Sequence, residues 1–78
     1  MTVQLNRETA SEYVQGYYAA IAGHTSTIAK AMPVTNEDGI PMVIVHADVT
    51  WDNLTERQVW DCWLEDDGMG GQCLYGEF

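Results

Sequence analysis

The chain has 78 residues, with 12 Asp and Glu against three Lys and Arg, which gives a formal net charge of -9. A chain of this length forms one small domain that buries about 60% of its unfolded surface, so a roomy enzyme core with its own cofactor is not expected. Hydrophobic residues make up 46% of the sequence, which is too many for a disordered acidic tail. The acidic balance disfavours direct binding to DNA, RNA or anionic lipid, because these ligands attract Lys and Arg.

The first seven residues lack a basic stretch followed by an apolar one, and no apolar run approaches the roughly 18 residues that a membrane helix needs. We therefore expect a cytoplasmic protein. Two cysteines, Cys62 and Cys73, are too few for a disulfide scaffold. Reduced thiols are the expectation, and a bridge between the two is the alternative.

The first predicted element is an amphipathic helix over about residues 7–22, because its apolar residues recur at helical spacing. Asn6 or Thr9 can cap its start, and Gly23 stands where a left-handed residue would end it. Gly16 inside the helix lacks a side chain, which suggests that another element packs closely there.

Two runs typical of β-strands follow, Thr25 to Thr35 and Ile40 to Thr50. The segment between them contains Asp-Gly, which supplies the positive φ of a tight hairpin. Pro33 and Pro41 confine the first strand, and the entry to the second, to edge or end positions. The second strand, rich in Val and Ile, is expected at the centre of the sheet.

A second helix is predicted over about residues 54–66, capped by Asn53 or Thr55, and a short last strand over residues 72–78. The predicted architecture is a single α+β domain over residues 1–78, in the order α-β-β-α-β, with an antiparallel hairpin sheet packed by two helices. The apolar face of the second helix comprises Leu54, Val59, Trp60, Trp63 and Leu64.

Charge is concentrated in residues 48–78, where eight carboxylates accompany Arg57 alone. On the predicted second helix, Asp61 and Glu65 lie one turn apart, opposite the apolar face. Asp66 and Asp67 follow at the C-terminus of this predicted helix, where the helix dipole disfavours negative charge. There are two explanations for carboxylates at this position, and one is a role in binding a partner. The other is a solvated face that keeps the protein soluble.

Most aromatic residues are expected in the core, notably Trp60, Trp63, Tyr13 and Tyr17. A second group at element ends, formed by Trp51, Tyr18 and Tyr75, is expected to be half exposed and to serve as binding anchors. The complete predicted partner-binding set is Asp61, Glu65, Asp66, Asp67, Asp52, Glu56, Trp51 and Tyr75.

Catalytic patterns are weak in this sequence. The carboxylates of Asp61 and Glu65 look too exposed to divide acid and base roles, and the glycines after Asp67 follow carboxylates that would repel a phosphate. His46, Asp48 and Asp52 form the best metal-ligand set, yet a further well-placed nitrogen or sulfur ligand is missing. No enzyme activity, cofactor or metal is therefore expected, and a small metal-binding enzyme stays the least favoured alternative.

In size and charge the chain resembles the small acidic inhibitors that phages make against host defence, such as anti-CRISPR proteins and the uracil-DNA glycosylase inhibitor. The resemblance covers the clustered carboxylates Asp61, Glu65, Asp66 and Asp67 but includes no shared motif. It implies an acidic surface that imitates DNA phosphates or covers the basic nucleic-acid channel of an effector, for example a CRISPR complex. An interaction module of the antitoxin or immunity type, also binding a basic partner, is the alternative.

Overall fold

The computed structural model describes residues 3–78 and contains one helix and four strands. Helix α1 spans Arg7–Ala19, and strands β1, β2, β3 and β4 span His24–Thr35, Pro41–Trp51, Leu54–Asp66 and Gln72–Glu77. The strands form one antiparallel sheet in the order β1-β2-β3-β4. This is the small α+β architecture that was expected, with one helix instead of two.

Helix α1 begins with a reciprocal cap. The Thr9 amide donates to the Asn6 side chain over 2.9 Å, and the Asn6 amide donates to the Thr9 hydroxyl over 3.0 Å, so both residues named as candidate caps take part. The helix ends at Ala19, earlier than predicted, and Gly23 lies beyond it at φ 81° in the connection to β1. The expectation of close packing at Gly16 is wrong, because no atom lies within 4 Å of a Cβ built there.

The β1 and β2 hairpin is confirmed, with its turn at residues 36–39. The Asn36 side chain accepts hydrogen bonds from the amides of Asp38 and Ile40, both at 2.9 Å, and Gly39 has φ 79°. As predicted, β1 is an edge strand and β2 is central.

The predicted second helix is wrong, because residues 54–66 form strand β3. A two-residue turn precedes it, and Asp52 and Asn53 have φ values of 51° and 64°. Positive φ at both central residues belongs to the tight hairpin turn whose twist matches that of the flanking strands, and Asn tolerates this conformation. Asn53 is therefore a turn residue and not a helix cap. The period-two placement of Trp60, Cys62 and Leu64 towards the helix side outweighs the 3.6-residue pattern.

The core lies between α1 and one face of the sheet. Trp60 is 2% exposed, and its indole Nε1 donates to the Tyr18 hydroxyl over 3.1 Å. Strand β4 approaches the helix at Gly76, where an added Cβ would lie 2.7 Å from the Tyr13 ring. The buried core residues are Ala10, Val14, Tyr18, Val43, Val45, Ala47, Val49, Trp60 and Cys62.

Several aromatic assignments change with the fold. Tyr18, expected at the margin, is buried with 5% exposure, whereas Tyr17, expected in the core, is 41% exposed. Trp63 lies on the opposite side of β3 from Trp60, so its assignment to the core is wrong. Both cysteines are free, and they lie on opposite faces of the sheet because Cys62 pairs with Gly76 and Cys73 with Glu65.

Candidate functional site: the open face of the sheet

The single helix covers one face of the sheet and leaves the other uncovered by any described element. The odd-numbered side chains of β2 from Val43 to Val49 are buried on the side of α1, and their partners on β3 are even-numbered residues. Odd-numbered side chains of β3 therefore project from the opposite face, as do their partners on β4. This surface is called the open face below.

On β3 and β4 the open face combines carboxylates with aromatic rings. Asp61, Trp63 and Glu65 follow one another along β3, and Tyr75 and Glu77 lie on β4 beside Trp63 and Asp61. These five residues are called the acidic aromatic patch. Because side chains alternate between the two faces of a strand, β3 and β4 alone place three carboxylates around two aromatic rings.

Contacts within the patch fix its geometry. The Trp63 and Tyr75 rings stack across the strands with centroids 6.1 Å apart and planes 28° from parallel. The Trp63 indole Nε1 donates to Glu65 Oε1 over 3.0 Å, which holds that carboxylate beside the ring. Tyr75 is 50% exposed, so an approaching surface meets an aromatic ring together with the carboxylates.

Asp61 and Glu77 face each other directly on the two strands. Like charges at directly opposed positions destabilise a sheet, with cross-strand pairs contributing on the order of 0.2–1 kcal/mol in either direction. A cationic group bound between these carboxylates would remove that repulsion.

Of the residues predicted from the sequence, Asp61, Glu65 and Tyr75 come together in this patch. Asp66 ends β3 next to the patch and Asp67 follows it, and both side chains accept hydrogen bonds from main-chain amides of the β3 to β4 turn. Asp66 Oδ1 accepts from the Gly68 amide at 2.9 Å, and Asp67 Oδ1 accepts from the Met69 amide at 2.7 Å. The helix-dipole argument for these two aspartates therefore fails, because no helix ends there.

The other predicted residues lie at the opposite end of β3, away from the patch. Trp51 is 53% exposed at the end of β2 and stacks on His24 with centroids 5.8 Å apart. Asp52 belongs to the two-residue turn, and Glu56 projects from the helix side of the sheet opposite Val49. These three residues share no surface with Asp61.

The sequence interpretation missed two members of the patch, Trp63 and Glu77. Trp63 is predicted on the apolar face of the second helix, and Glu77 falls in the predicted last strand but outside the predicted partner-binding set. Alternation would have found both, because Asp61, Trp63 and Glu65 fall at every second residue, as do Tyr75 and Glu77.

The remaining part of the open face is less acidic. Arg57 Nε binds Asp48 Oδ1 at 2.6 Å across β2 and β3. This hydrogen bond from Arg57 lowers the pKa of Asp48, and the same hydrogen bond to Asp48 raises the pKa of Arg57. Lys30 lies beside His46 on the neighbouring strands, so cations occupy the half away from the patch.

An apolar stretch completes the open face beside the patch. Ile44 lies directly opposite Asp61, and Met32 is its partner on β1. Both are partly exposed, as are Val34 and Met42 further along the same two strands. A partner that covers the patch would therefore also meet aliphatic side chains.

The metal-ligand alternative finds little support in the geometry. Asp48 is held by Arg57, and Asp52 lies in the turn at the end of the strand. Residues 3–78 contain no group of three or more His, Cys, Asp or Glu side chains placed to hold a metal ion. Burial raises the pKa of the Cys62 thiol to about 11, and the nearby Asp61 adds to the effect, which opposes a thiolate ligand there.

Comparison with known proteins found no matching family model, no matching curated protein and no matching solved structure. Within the described part of the chain, no helix is long and apolar enough to cross a membrane.

Proposed function

We propose that this protein is a non-enzymatic acidic inhibitor that binds the basic nucleic-acid-binding surface of a host defence effector, as anti-CRISPR proteins do, and blocks target DNA binding. The observation that carries the proposal is the acidic aromatic patch on the uncovered face of the sheet. Its three carboxylates surround the half-buried ring of Trp63 and the exposed ring of Tyr75. Lys and Arg side chains of a DNA channel are complementary to both features, since they pair with carboxylates and stack on aromatic rings.

The charge of the whole domain supports the same proposal. A net charge of -9 on 78 residues speeds association with a basic surface, and the effect weakens as salt screens the charges. Because DNA binding to the effector depends on the same cations, the inhibitor and the DNA compete for them. A sheet already holds the carboxylates in place, so little conformational entropy is lost on binding.

An antitoxin-like or immunity-like interaction module is the second candidate, favoured by the aliphatic residues beside the patch. An apolar margin beside the patch consists of Met32, Val34, Met42 and Ile44. Imitation of DNA phosphates does not require such aliphatic side chains. A basic partner with its own apolar surface would bury both parts of the open face together. The two candidates share the binding face and differ in whether the partner binds DNA with the covered surface.

A gel-shift competition tests the proposal. Purified CRISPR effector complexes and other DNA-binding defence proteins are mixed with labelled target DNA, and this protein is titrated at two salt concentrations. We expect one effector to lose its DNA, with weaker inhibition at the higher salt. If every effector retains its DNA while a native-host pull-down recovers a basic protein that binds no DNA, the interaction-module candidate replaces the inhibitor.

A pair of charge-matched variants locates the binding face. The Asp61→Asn, Glu65→Gln, Glu77→Gln variant and the Glu12→Gln, Glu37→Gln, Asp38→Asn variant each remove three exposed carboxylates. The first should raise the inhibitory concentration about tenfold or more, whereas the second should change it about twofold through net charge alone. Equal effects from the two variants would show that the patch has no special role.

A further inference from the structure

The open face changes its chemical character from one side of the sheet to the other. A single row of cross-strand neighbours runs over all four strands, in which Met32 pairs with Ile44, Ile44 with Asp61, and Asp61 with Glu77. The first two side chains are apolar and partly exposed, and the last two are exposed carboxylates. The boundary between an apolar half and an acidic half therefore lies between β2 and β3 and follows the strand direction.

The next row along the sheet extends both halves. It consists of Val34 and Met42 on β1 and β2, and of Trp63 and Tyr75 on β3 and β4. Methionine side chains are flexible and polarisable, so they adapt to different apolar surfaces. Aromatic rings contact both apolar side chains and the cations of Lys and Arg. The two rows therefore offer apolar contacts on one side of the boundary and contacts for cations on the other.

The width of this region matches that of an α-helix. Neighbouring strands lie about 4.8 Å apart, so the main chains at Met32 and Glu77, the two ends of the first row, are separated by about 14 Å. A helix with its side chains has a diameter of about 10–12 Å. One helix lying along the strands above the boundary therefore contacts both halves, with an apolar stripe on β1 and β2 and a charged flank on β3 and β4.

Helix α1 demonstrates that a helix can lie along the strands of this sheet. Its N-cap residue Asn6 lines one cavity together with Val43, and Tyr18 near its end lines another together with Trp51. Because Val43 and Trp51 lie near the two ends of β2, α1 follows the strand direction on the covered face. Its 13 residues correspond to a length of about 20 Å. The acidic aromatic patch extends about 14 Å along β3, so a helix of similar length covers it.

We propose that the open face binds an amphipathic α-helix of the partner protein, with an apolar stripe on Met32, Met42 and Ile44 and a flank of Arg or Lys residues on Asp61 and Glu77. A helix that lays its apolar side on a complementary surface is a common mode of peptide recognition. The inference rests on the proposed function. It adds that the DNA-binding surface covered by this protein includes a basic helix, the element that many DNA-binding proteins place in the major groove.

Charge favours a basic helix over a second copy of this chain. Asp61 and Glu77 face each other, and no salt bridge within residues 3–78 engages either carboxylate, so a cation between them removes a repulsion. The helix that a second copy would bring is α1, whose exposed residues include Glu8 and Glu12 beside one cation, Arg7. Each copy also carries a net charge of -9. Two copies would therefore repel each other at this face.

The test titrates the full chain with a probe peptide, acetyl-Leu-Gln-Arg-Leu-Ala-Ala-Arg-Leu-Ala-Arg-Leu-Ala-Gln-Arg-amide. As a helix, this peptide has its leucines in one stripe and its arginines in the flank beside it. Two-dimensional NMR maps the binding site, and circular dichroism follows helix formation. We expect saturable binding, a gain of helix signal, and resonance shifts on both sides of the boundary, at Ile44 and at Asp61.

A control peptide has proline in place of the sixth and ninth residues, which are both alanine. It keeps every leucine and arginine but cannot form the helix, and it should bind at least about tenfold more weakly. Equal binding of the two peptides would overturn the proposal, since charge and apolar content alone would then explain the binding.

Matched variants of the protein separate the apolar contact from charge. Ile44→Thr changes the open face, whereas Ile40→Thr makes the same change at an exposed residue that lines a cavity with Leu64 on the helix side of the sheet. Only Ile44→Thr should weaken binding of the probe peptide, by about fivefold or more. Equal binding by the two variants would overturn the proposal. The comparison of the two peptides decides the question even if Ile44→Thr does not fold.

The effector competition distinguishes a failure of this inference from a failure of the proposed function. If the Asp61→Asn, Glu65→Gln, Glu77→Gln variant no longer blocks DNA binding while Ile44→Thr blocks it fully, the patch acts without a helix and only this inference fails. If every effector keeps its DNA while the helical peptide binds and the proline peptide does not, the proposed function fails and helix binding is supported. A dimer of the protein alone in sedimentation, with the open face protected, would overturn the inference.

Discussion

The two sides of strand β3 carry similar residue types and have different surroundings. On the helix side, Trp60 is 2% exposed and donates to the buried hydroxyl of Tyr18. Three residues later, Trp63 lies on the open face and donates to the exposed carboxylate of Glu65. Because the one helix packs on one side of the sheet only, one tryptophan belongs to the core and the other to a surface, although the two side chains are chemically identical.

The largest difference in stability is expected between the alanine variants of the two tryptophans, each made separately. Trp60→Ala removes a side chain in contact with four aromatic rings, and it should lower the free energy of unfolding by about 3–5 kcal/mol. Trp63→Ala should cost about 1 kcal/mol or less, since it removes a cross-strand ring contact on the open face. Urea unfolding monitored by far-UV circular dichroism measures both. A larger loss from Trp63→Ala would mean that the helix covers the other face.

Two glycines, Gly76 and Gly16, differ in how closely they approach other atoms at the helix. Gly76→Ala places a methyl group 2.7 Å from the Tyr13 ring and 3.2 Å from the Trp60 ring, and such overpacking should cost about 1–3 kcal/mol. Gly16→Ala meets no atom within 4 Å and improves helix propensity, so it should stabilise the protein by up to about 1 kcal/mol. Thermal unfolding of the two variants should therefore shift in opposite directions. A neutral Gly76→Ala would show that β4 lies further from the helix.

The smallest effect concerns the two thiols. In the folded protein burial raises the pKa of the Cys62 thiol from its ordinary value of 9.0 to about 11. Because the unfolded thiol ionises first, the free energy of unfolding should be unaffected below pH 9 and should fall by at most about 2 kcal/mol between pH 9 and pH 11.

Urea unfolding at several pH values, compared with Cys62→Ala, isolates this contribution, since the variant has no thiol to ionise there. Cys73→Ala provides the control, because Cys73 lies on the open face and its removal should leave the pH-dependent difference in place. An identical pH profile for the Cys62→Ala variant and the unmodified protein would contradict burial of this thiol.

Parts of the fold with strong local signals were predictable from the sequence. The reciprocal cap at Asn6 and Thr9 is local hydrogen bonding over three residues, and the first hairpin follows from an Asp-Gly turn between β-type runs. The second hairpin was missed because its turn, Asp52 and Asn53, also looks like a helix start. The apolar residues of β3 fit both the 3.6-residue period of a helix and the two-residue period of a strand, and local propensity does not distinguish the two structures.

The candidate site was also predictable only in part. The acidic charge, its concentration in residues 48–78 and the aromatic residues among the carboxylates are all visible in the sequence. Strand pairing, which the sequence does not reveal, brings Asp61, Glu65 and Tyr75 onto one surface with Trp63 and Glu77, whereas the side chains of Asp66 and Asp67 bind amides of the β3 to β4 turn. Register explains this outcome, because pairing with β2 places the even-numbered residues of β3 on the helix side of the sheet, and the odd-numbered residues must then project from the open face.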